Sequence, residues 1–172
     1  MTMEKKKKQK SRDKSLIWVI IIILLSCILA AYYIKGWLFA PEPTQPTVSN
    51  PISGDVFDCH VEYYTCRVGN DKDDKPIIKV YYRFTNNSEK DRTFDYGTCT
   101  TNEAFQDGAK LDYRFGESQE EKDRKTDIKP GASIIVCDSY YLRNLTSPVD
   151  VTVKEYVPLL SKSIGTMTIS LA

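Results

Sequence analysis

The chain changes its hydrophobic rhythm twice. Residues 16–34, LIWVIIIILLSCILAAYYI, are nineteen consecutive positions without a charge. As a helix rising about 1.5 Å per residue they would reach roughly 28 Å, close to the hydrocarbon thickness of a bilayer. The pattern predicts one membrane-spanning anchor over residues 16–39. Trp18 lies near one end and Tyr32, Tyr33 and Trp37 near the other, where amphipathic rings favour the headgroup layers. From Ala40 the text becomes APEPTQPTVSNPISGD, with prolines at 41, 43, 46 and 51. This reads as a semi-rigid, polyproline-like linker over residues 40–55. From Val56 onward apolar and polar positions alternate with period two, the mark of half-buried strands.

The first strand, residues 56–67, puts Phe57, Cys59, Val61 and Tyr63 on one face and Asp58, His60 and Glu62 on the other. After the polar turn GNDKDDK, residues 77–85 answer with Ile78, Val80, Tyr82 and Phe84 inward, which predicts an antiparallel hairpin. Residues 94–105 are extended without a clear face, and Gln106-Asp107-Gly108 makes a tight turn into a strand carrying Leu111, Tyr113 and Phe115. Residues 116–127, GESQEEKDRKTD, offer no apolar face and read as a mobile charged loop. Lys129-Pro130-Gly131 predicts a type II turn. Three strands follow, at 134–142, 149–157 and 166–171. The sum is about seven strands in residues 56–172, at the spacing of a β-sandwich.

Charge supplies direction. Residues 1–15 hold seven basic side chains against two acidic ones, and positive flanks stay cytoplasmic. The expected topology is single-pass, with residues 1–15 a basic cytoplasmic tail and the C-terminal domain extracellular at the cell membrane. Residues 36–172 carry sixteen Lys and Arg against twenty-one Asp and Glu. An acidic exterior excludes nucleic acid and anionic lipid as natural partners of the domain. The membrane is engaged through residues 16–39.

Several stretches, in order, resemble a known group. IIKVYYRFTNNSE, EAFQDGAKL, DIKPGASIIV and SYYLRNLTSPVDVTV are similar to the uncharacterised immunoglobulin-like domain of Gram-positive cell-surface lipoproteins. The carriers are Phe84, Thr85 and Asn86; Gln106, Gly108 and Leu111; and Pro130, Gly131, Tyr140 and Leu142. The resemblance implies an exported immunoglobulin-like antiparallel β-sandwich. It brings no catalytic residue to transfer. Leu24-Leu25-Ser26-Cys27 also resembles a lipobox, which would make Cys27 the lipidated N-terminus of a cleaved protein. The apolar run continues well past Cys27, so the uncleaved anchor is the preferred reading.

Four cysteines remain in the exported part, Cys59, Cys66, Cys99 and Cys137, and an even number in an oxidising compartment predicts disulfides. Cys59 and Cys66 on one extended strand would stand roughly 23 Å apart and cannot pair with each other. Their odd separation sets them on opposite faces unless a bulge intervenes near Tyr63-Tyr64. The favoured pairing is Cys59 with Cys99 and Cys66 with Cys137. Zinc would need closer cysteine spacing or more histidine than His60.

No nucleophile elbow, His-Glu-x-x-His, phosphate loop or dinucleotide turn occurs, so no catalytic, cofactor or metal residue is expected. Asp71, Asp73 and Asp74 read as a solvated turn, lacking the later ligands of a calcium loop. Glu120 and Glu121 sit in the stretch read as mobile. A surface hydrolase would require a deep pocket with convergent carboxylates. Of eleven tyrosines, six form three doublets in the exported part, whose outward members, Tyr64, Tyr81 and Tyr141, are candidate contact residues for a protein or cell-wall glycan. The expected function is a non-enzymatic interaction module at the cell surface; a lipidated accessory protein that binds a small ligand is the alternative.

Overall fold

A computed structural model describes residues 22–30, 45–95, 99–157 and 162–171. The chain divides into two compact units, Met1–Pro43 and Thr44–Ala172. In the first, residues 22–30 form a helix, α1. Among the described residues no helix is long and apolar enough to cross a membrane. The basic tail 1–15 and the remainder of the expected anchor lie outside the described residues.

The second unit is built from two antiparallel sheets. Its strands are β1 (Thr47–Ser49), β2 (Ser53–Val56), β3 (Cys59–Asn70), β4 (Pro76–Asn86), β5 (Thr100–Gln106), β6 (Ala109–Lys110), β7 (Ser133–Tyr141), β8 (Val149–Glu155) and β9 (Ser163–Ser170), with one short helix, α2 (Gln119–Asp123). One sheet has the order β1-β9-β8-β5-β6 and the other β2-β3-β4-β7. They face each other as a sandwich. Its core combines Val149, Val151, Val153, Met167 and Ile169 of the first sheet with Val61, Ile78, Val80, Tyr82, Phe84 and Val136 of the second. Phe94 plugs the middle, its ring 5.7 Å from both Tyr82 and Phe84.

The strongest alternation produced the longest pairing. β3 and β4 run antiparallel from Cys59 opposite Asn86 to Asn70 opposite Pro76, with one slip between Tyr63 and Thr65. That bulge turns Cys66 back to the core side, so Cys59 and Cys66 are both buried on the inner face. The Gln106 turn and the Pro130 turn also form: Asp107 and Gly108 have φ of 53° and 72°, Gly131 has φ of 77°, and Ala132 N–H donates to Lys129 C=O at 3.1 Å.

Other expectations need correction. The stretch read as a linker, 40–55, contributes β1 and most of β2, which pair with β9 and β3. Proline density marked sheet edges here, where a missing N–H costs little. Phe57 leaves the apolar face: Val56 pairs with Cys59, so Phe57 and Asp58 form the two-residue connection, and Phe57 is exposed at φ 51°. That positive φ is strained for an aromatic residue. Of the strand expected to carry Leu111, Tyr113 and Phe115, only its first residue, Lys110, falls in β6; the chain then crosses to the other sheet, where Tyr113 makes an isolated bridge to Tyr140.

The five cysteines are unbonded in this structure. Cys66 and Cys137 cannot pair as proposed. Cys66 stands opposite Val80, which stands opposite Asp138, whereas Cys137 stands opposite Tyr81. The two therefore point to opposite faces and lie two strands, roughly 9.5 Å, apart, beyond the span of a disulfide. Cys59 and Cys99 do meet, their side chains in hydrogen-bonding contact.

Candidate functional site

The segment that leaves β6 creates the site. Leu111 N–H still donates to Ala104 C=O in the first sheet at 2.8 Å. One residue later the backbone has changed partners: Tyr141 N–H donates to Asp112 C=O at 3.0 Å, and Arg114 N–H donates to Ser139 C=O at 2.8 Å. The chain thereby covers the free edge of β7. It then reaches α2, so the stretch 116–127, read as a charged loop, contains a short capped helix.

α2 carries no apolar stripe; a capping box and a buried carboxylate hold it instead. The Ser118 side chain accepts from Glu121 N–H, and Glu121 accepts from Ser118 N–H at 2.9 Å. The Glu121 carboxylate is almost wholly buried, 3.2 Å from Arg114 and 3.6 Å from Lys79, and it accepts the hydroxyl of Ser139. Burial would raise its pKa, but the bonds from Ser139 and Ser118, together with the Lys79 charge, hold it below the ordinary carboxylate range. Gly116 lies flat against this carboxylate; a Cβ there would sit 1.8 Å from its atoms. Cys137, on the outer face of β7 beside Ser139, is fully buried for the same reason.

Between this crossover and the β5–β6 edge lies a cavity of about 790 Å3. Tyr113, Phe115 and Tyr140 supply aromatic surface, Arg124 and Asn102 polar groups, and Lys110, Lys122 and Lys125 cationic ones. The Tyr113 ring meets Phe115 and Tyr140 edge to face, with centroids 5.0 and 5.5 Å apart. Arg124 is the keystone. Its Nε lies 2.9 Å from Asp138 Oδ1 and its Nη2 3.4 Å from Asp95, while Nη1 donates to the Tyr113 hydroxyl. The guanidinium also rests 4.9 Å from the centroid of the Tyr113 ring.

Asp138 is fully buried and accepts from Asn102 Nδ2. Burial raises its pKa, against the opposing pull of Arg124, Asn102 and Tyr113. Among the described residues, four buried side-chain polar atoms have no hydrogen-bond partner: the Tyr140 hydroxyl, Asn102 Oδ1 and the ion-paired Arg124 Nε, on residues that line the cavity, and the Tyr82 hydroxyl in the core. Buried groups left in that state are costly.

The candidate contact tyrosines are placed elsewhere. Tyr64 is exposed and Tyr81 and Tyr141 are half-buried, while their doublet partners Tyr82 and Tyr140 are buried in the core. Each outward ring lies under a cation: Arg83 at 5.4 Å from Tyr64, Arg67 at 5.8 Å from Tyr81, and Lys75 at 5.8 Å from Tyr141. None of the three lines the cavity. His60 is paired with Asp55 at 2.7 Å, and Asp71 Oδ1 accepts the N–H groups of Asp73 and Lys75, closing its turn. Cys27 is exposed on α1. Sequence reasoning missed Arg124 and Asn102 outright. Asp138, a charge at an inward position between Val136 and Tyr140, was the available signal.

These features define a two-sheet β-sandwich domain with an aromatic-walled, polar-floored cavity at one edge. The chain belongs to the family described as a domain of unknown function (DUF5067), whose model matches residues 42–155. The match ends before β9, which nevertheless lies hydrogen-bonded between β1 and β8. The crystal structure of a "putative lipoprotein (ycdA)" from Bacillus subtilis shares the fold with a TM-score of 0.54 and 15% identity, over 72% of this chain and 39% of that one. The chain thus spans well under half of that neighbour's length. No curated protein matches it.

Proposed function

We propose that the protein is a membrane-anchored, extracellular immunoglobulin-like module of a Gram-positive cell surface, binding a glycan segment of the cell wall in the cavity beside α2. The aromatic-walled cavity, with Phe115 exposed at its rim and Tyr113, Lys110 and Arg124 among its lining, is the observation that carries this reading. A sugar ring offers an apolar face to an aromatic side chain and hydroxyls to such polar groups. About 790 Å3 falls within the range of small-ligand sites and admits a short saccharide. Phe115, 84% exposed at the rim, is the natural stacking surface.

Binding is favoured over hydrolysis because the buried carboxylates are already engaged. Asp138 is held by Arg124, and Glu121 by Lys79 and Arg114. A general acid or nucleophile needs its carboxyl free to face the scissile bond. The lipidated form, with Cys27 as its N-terminus, is the second reading, and the description of the structural neighbour as a lipoprotein favours it. The unbroken helix over residues 22–30 favours the anchor.

Calorimetric titration of the full chain in detergent with solubilised cell-wall glycan fragments tests the function. Saturable binding that weakens about tenfold or more in Phe115→Ala, with no loss of thermal stability, is expected. Absence of binding, or equal binding by the variant, refutes the site.

A further inference from the structure

Cys59 opens β3 in one sheet, and Cys99 immediately precedes β5 in the other. Both are buried and belong to the same core cluster. Each backbone is already fixed by a ladder: Cys59 stands opposite Asn86, and the Cys99 carbonyl accepts from Tyr156 N–H at 3.0 Å. Their side chains touch across the gap between the sheets. The remaining domain cysteines have no such neighbour, since Cys66 contacts Tyr63, while Cys137 lies with Ser139 on the far side of β7.

We infer that Cys59 and Cys99 form one disulfide that staples the two sheets together, while Cys66 and Cys137 stay thiols. The electron acceptor is a disulfide-bearing oxidant, either a thiol–disulfide oxidoreductase or a small disulfide such as oxidised glutathione. One cysteine thiolate attacks the oxidant's S–S bond and displaces one of its sulfurs as a thiolate. The second cysteine then attacks the mixed disulfide, forming the Cys59–Cys99 bond and expelling the other half. Two thiols lose two protons and two electrons, and the oxidant's S–S bond is reduced to two thiols.

Timing follows from burial. Burial raises the Cys59 thiol above its ordinary value, and burial together with the Cys59 charge pushes Cys99 up to about 12. Little thiolate exists in the closed sandwich, and no oxidant reaches it. The bridge therefore forms as the chain folds and is slow to form afterwards. It encloses about 40 residues, including the whole β3–β4 hairpin, a loop long enough for a large effect on the unfolded chain.

The test uses the full chain, unfolded in reductant and refolded in detergent with a glutathione redox buffer. It is then alkylated, digested and examined by mass spectrometry. A Cys59–Cys99 peptide pair two hydrogens lighter than its parts, with Cys27, Cys66 and Cys137 alkylated, is expected. Reduction should lower the thermal midpoint by roughly 10 °C or more in the native chain and in C66S/C137S, and should leave C99S unchanged. Five alkylated cysteines, or a bridge using Cys66 or Cys137, overturns the inference. The extracellular placement stands or falls separately. A bridge in refolded protein that is missing from protein extracted from cell membranes supports the pairing and refutes the exported orientation.

Discussion

Glu121→Ala removes the peg that holds α2 on β7. The carboxylate is 2% exposed, so its loss strands partners rather than merely deleting a surface contact. Breaking a buried ion pair costs about 3–5 kcal/mol when the remaining charge stays buried. Here Lys79 and Arg114 keep 24% and 18% of their side-chain surface and turn to water, which reduces that term to about 2 kcal/mol. The Ser139 hydroxyl loses its acceptor and the capping box loses one arm, adding about 1 kcal/mol. A loss of about 3 kcal/mol corresponds to roughly 10 °C in a domain of this size. The local readout is Cys137, which is buried on a face that only the docked crossover covers. Its alkylation by a small thiol reagent under native conditions should accelerate by at least tenfold in the variant, while Cys66 in the core stays protected. A midpoint within about 1 °C of the native protein, with unchanged Cys137 reactivity, would refute the claim that Glu121 pins the crossover.

Gly116→Ala drives a methyl group into the same carboxylate, so it should destabilise by a similar amount, and combining it with Glu121→Ala should add little in a urea titration. Tyr140→Phe removes a hydroxyl that has no partner; stability in a urea titration should be unchanged or rise by up to about 1 kcal/mol, and a clear loss would show that the hydroxyl is bonded. Acid should act through Glu121. Its folded pKa is depressed, so its contribution is complete above the ordinary value of 4.5 and is lost as pH falls through the lower folded value. Asp138, raised by burial, has the opposite sign, its contribution being present below the ordinary carboxylate value and lost as pH rises through the folded one. The difference between native and Glu121→Gln denaturation midpoints across pH 2–6 isolates the first effect, and parallel curves would show that Glu121 is not the acid-sensitive group.

The sandwich was legible wherever burial follows chemistry. Ile78, Val80, Tyr82 and Phe84 alternate in sequence and are all buried on one face of β4. The same rule failed where polar side chains go inside. Gln106 reads as a turn residue and Asn86 as part of a family motif, yet both are buried hubs. Gln106 donates to the carbonyls of Asn144 and Ser147 and accepts from the N–H groups of Arg143 and Asn144. Asn86 donates to the carbonyls of Lys90 and Ile128. Each ties the backbone of a connecting segment to the end of a strand. The crossover was missed for a related reason. Hydrophobic periodicity cannot find a helix whose inward residues are Glu121 and Arg124, although the spacing of Ser118 and Glu121 was a readable N-terminal signal.

The cavity and the protection of β7 have one origin. An edge strand left bare invites pairing with another chain, and here the backbone of residues 112–114 closes it. To get there the chain crosses from one sheet to the other beside β5, where the cavity lies between the layers. Filling that space with apolar side chains would have extended the core. Arg124 enters from beyond α2 instead and meets Asp138 from β7, and the pair spans the gap without filling it. A buried ion pair of this kind adds little stability over an apolar equivalent, so its presence calls for another explanation. Tyr140 and Asn102 beside the pair each leave a polar atom unbonded, as Tyr82 does within the core. Stability alone does not favour the pair, and occupation of the cavity by the proposed ligand would account for keeping it.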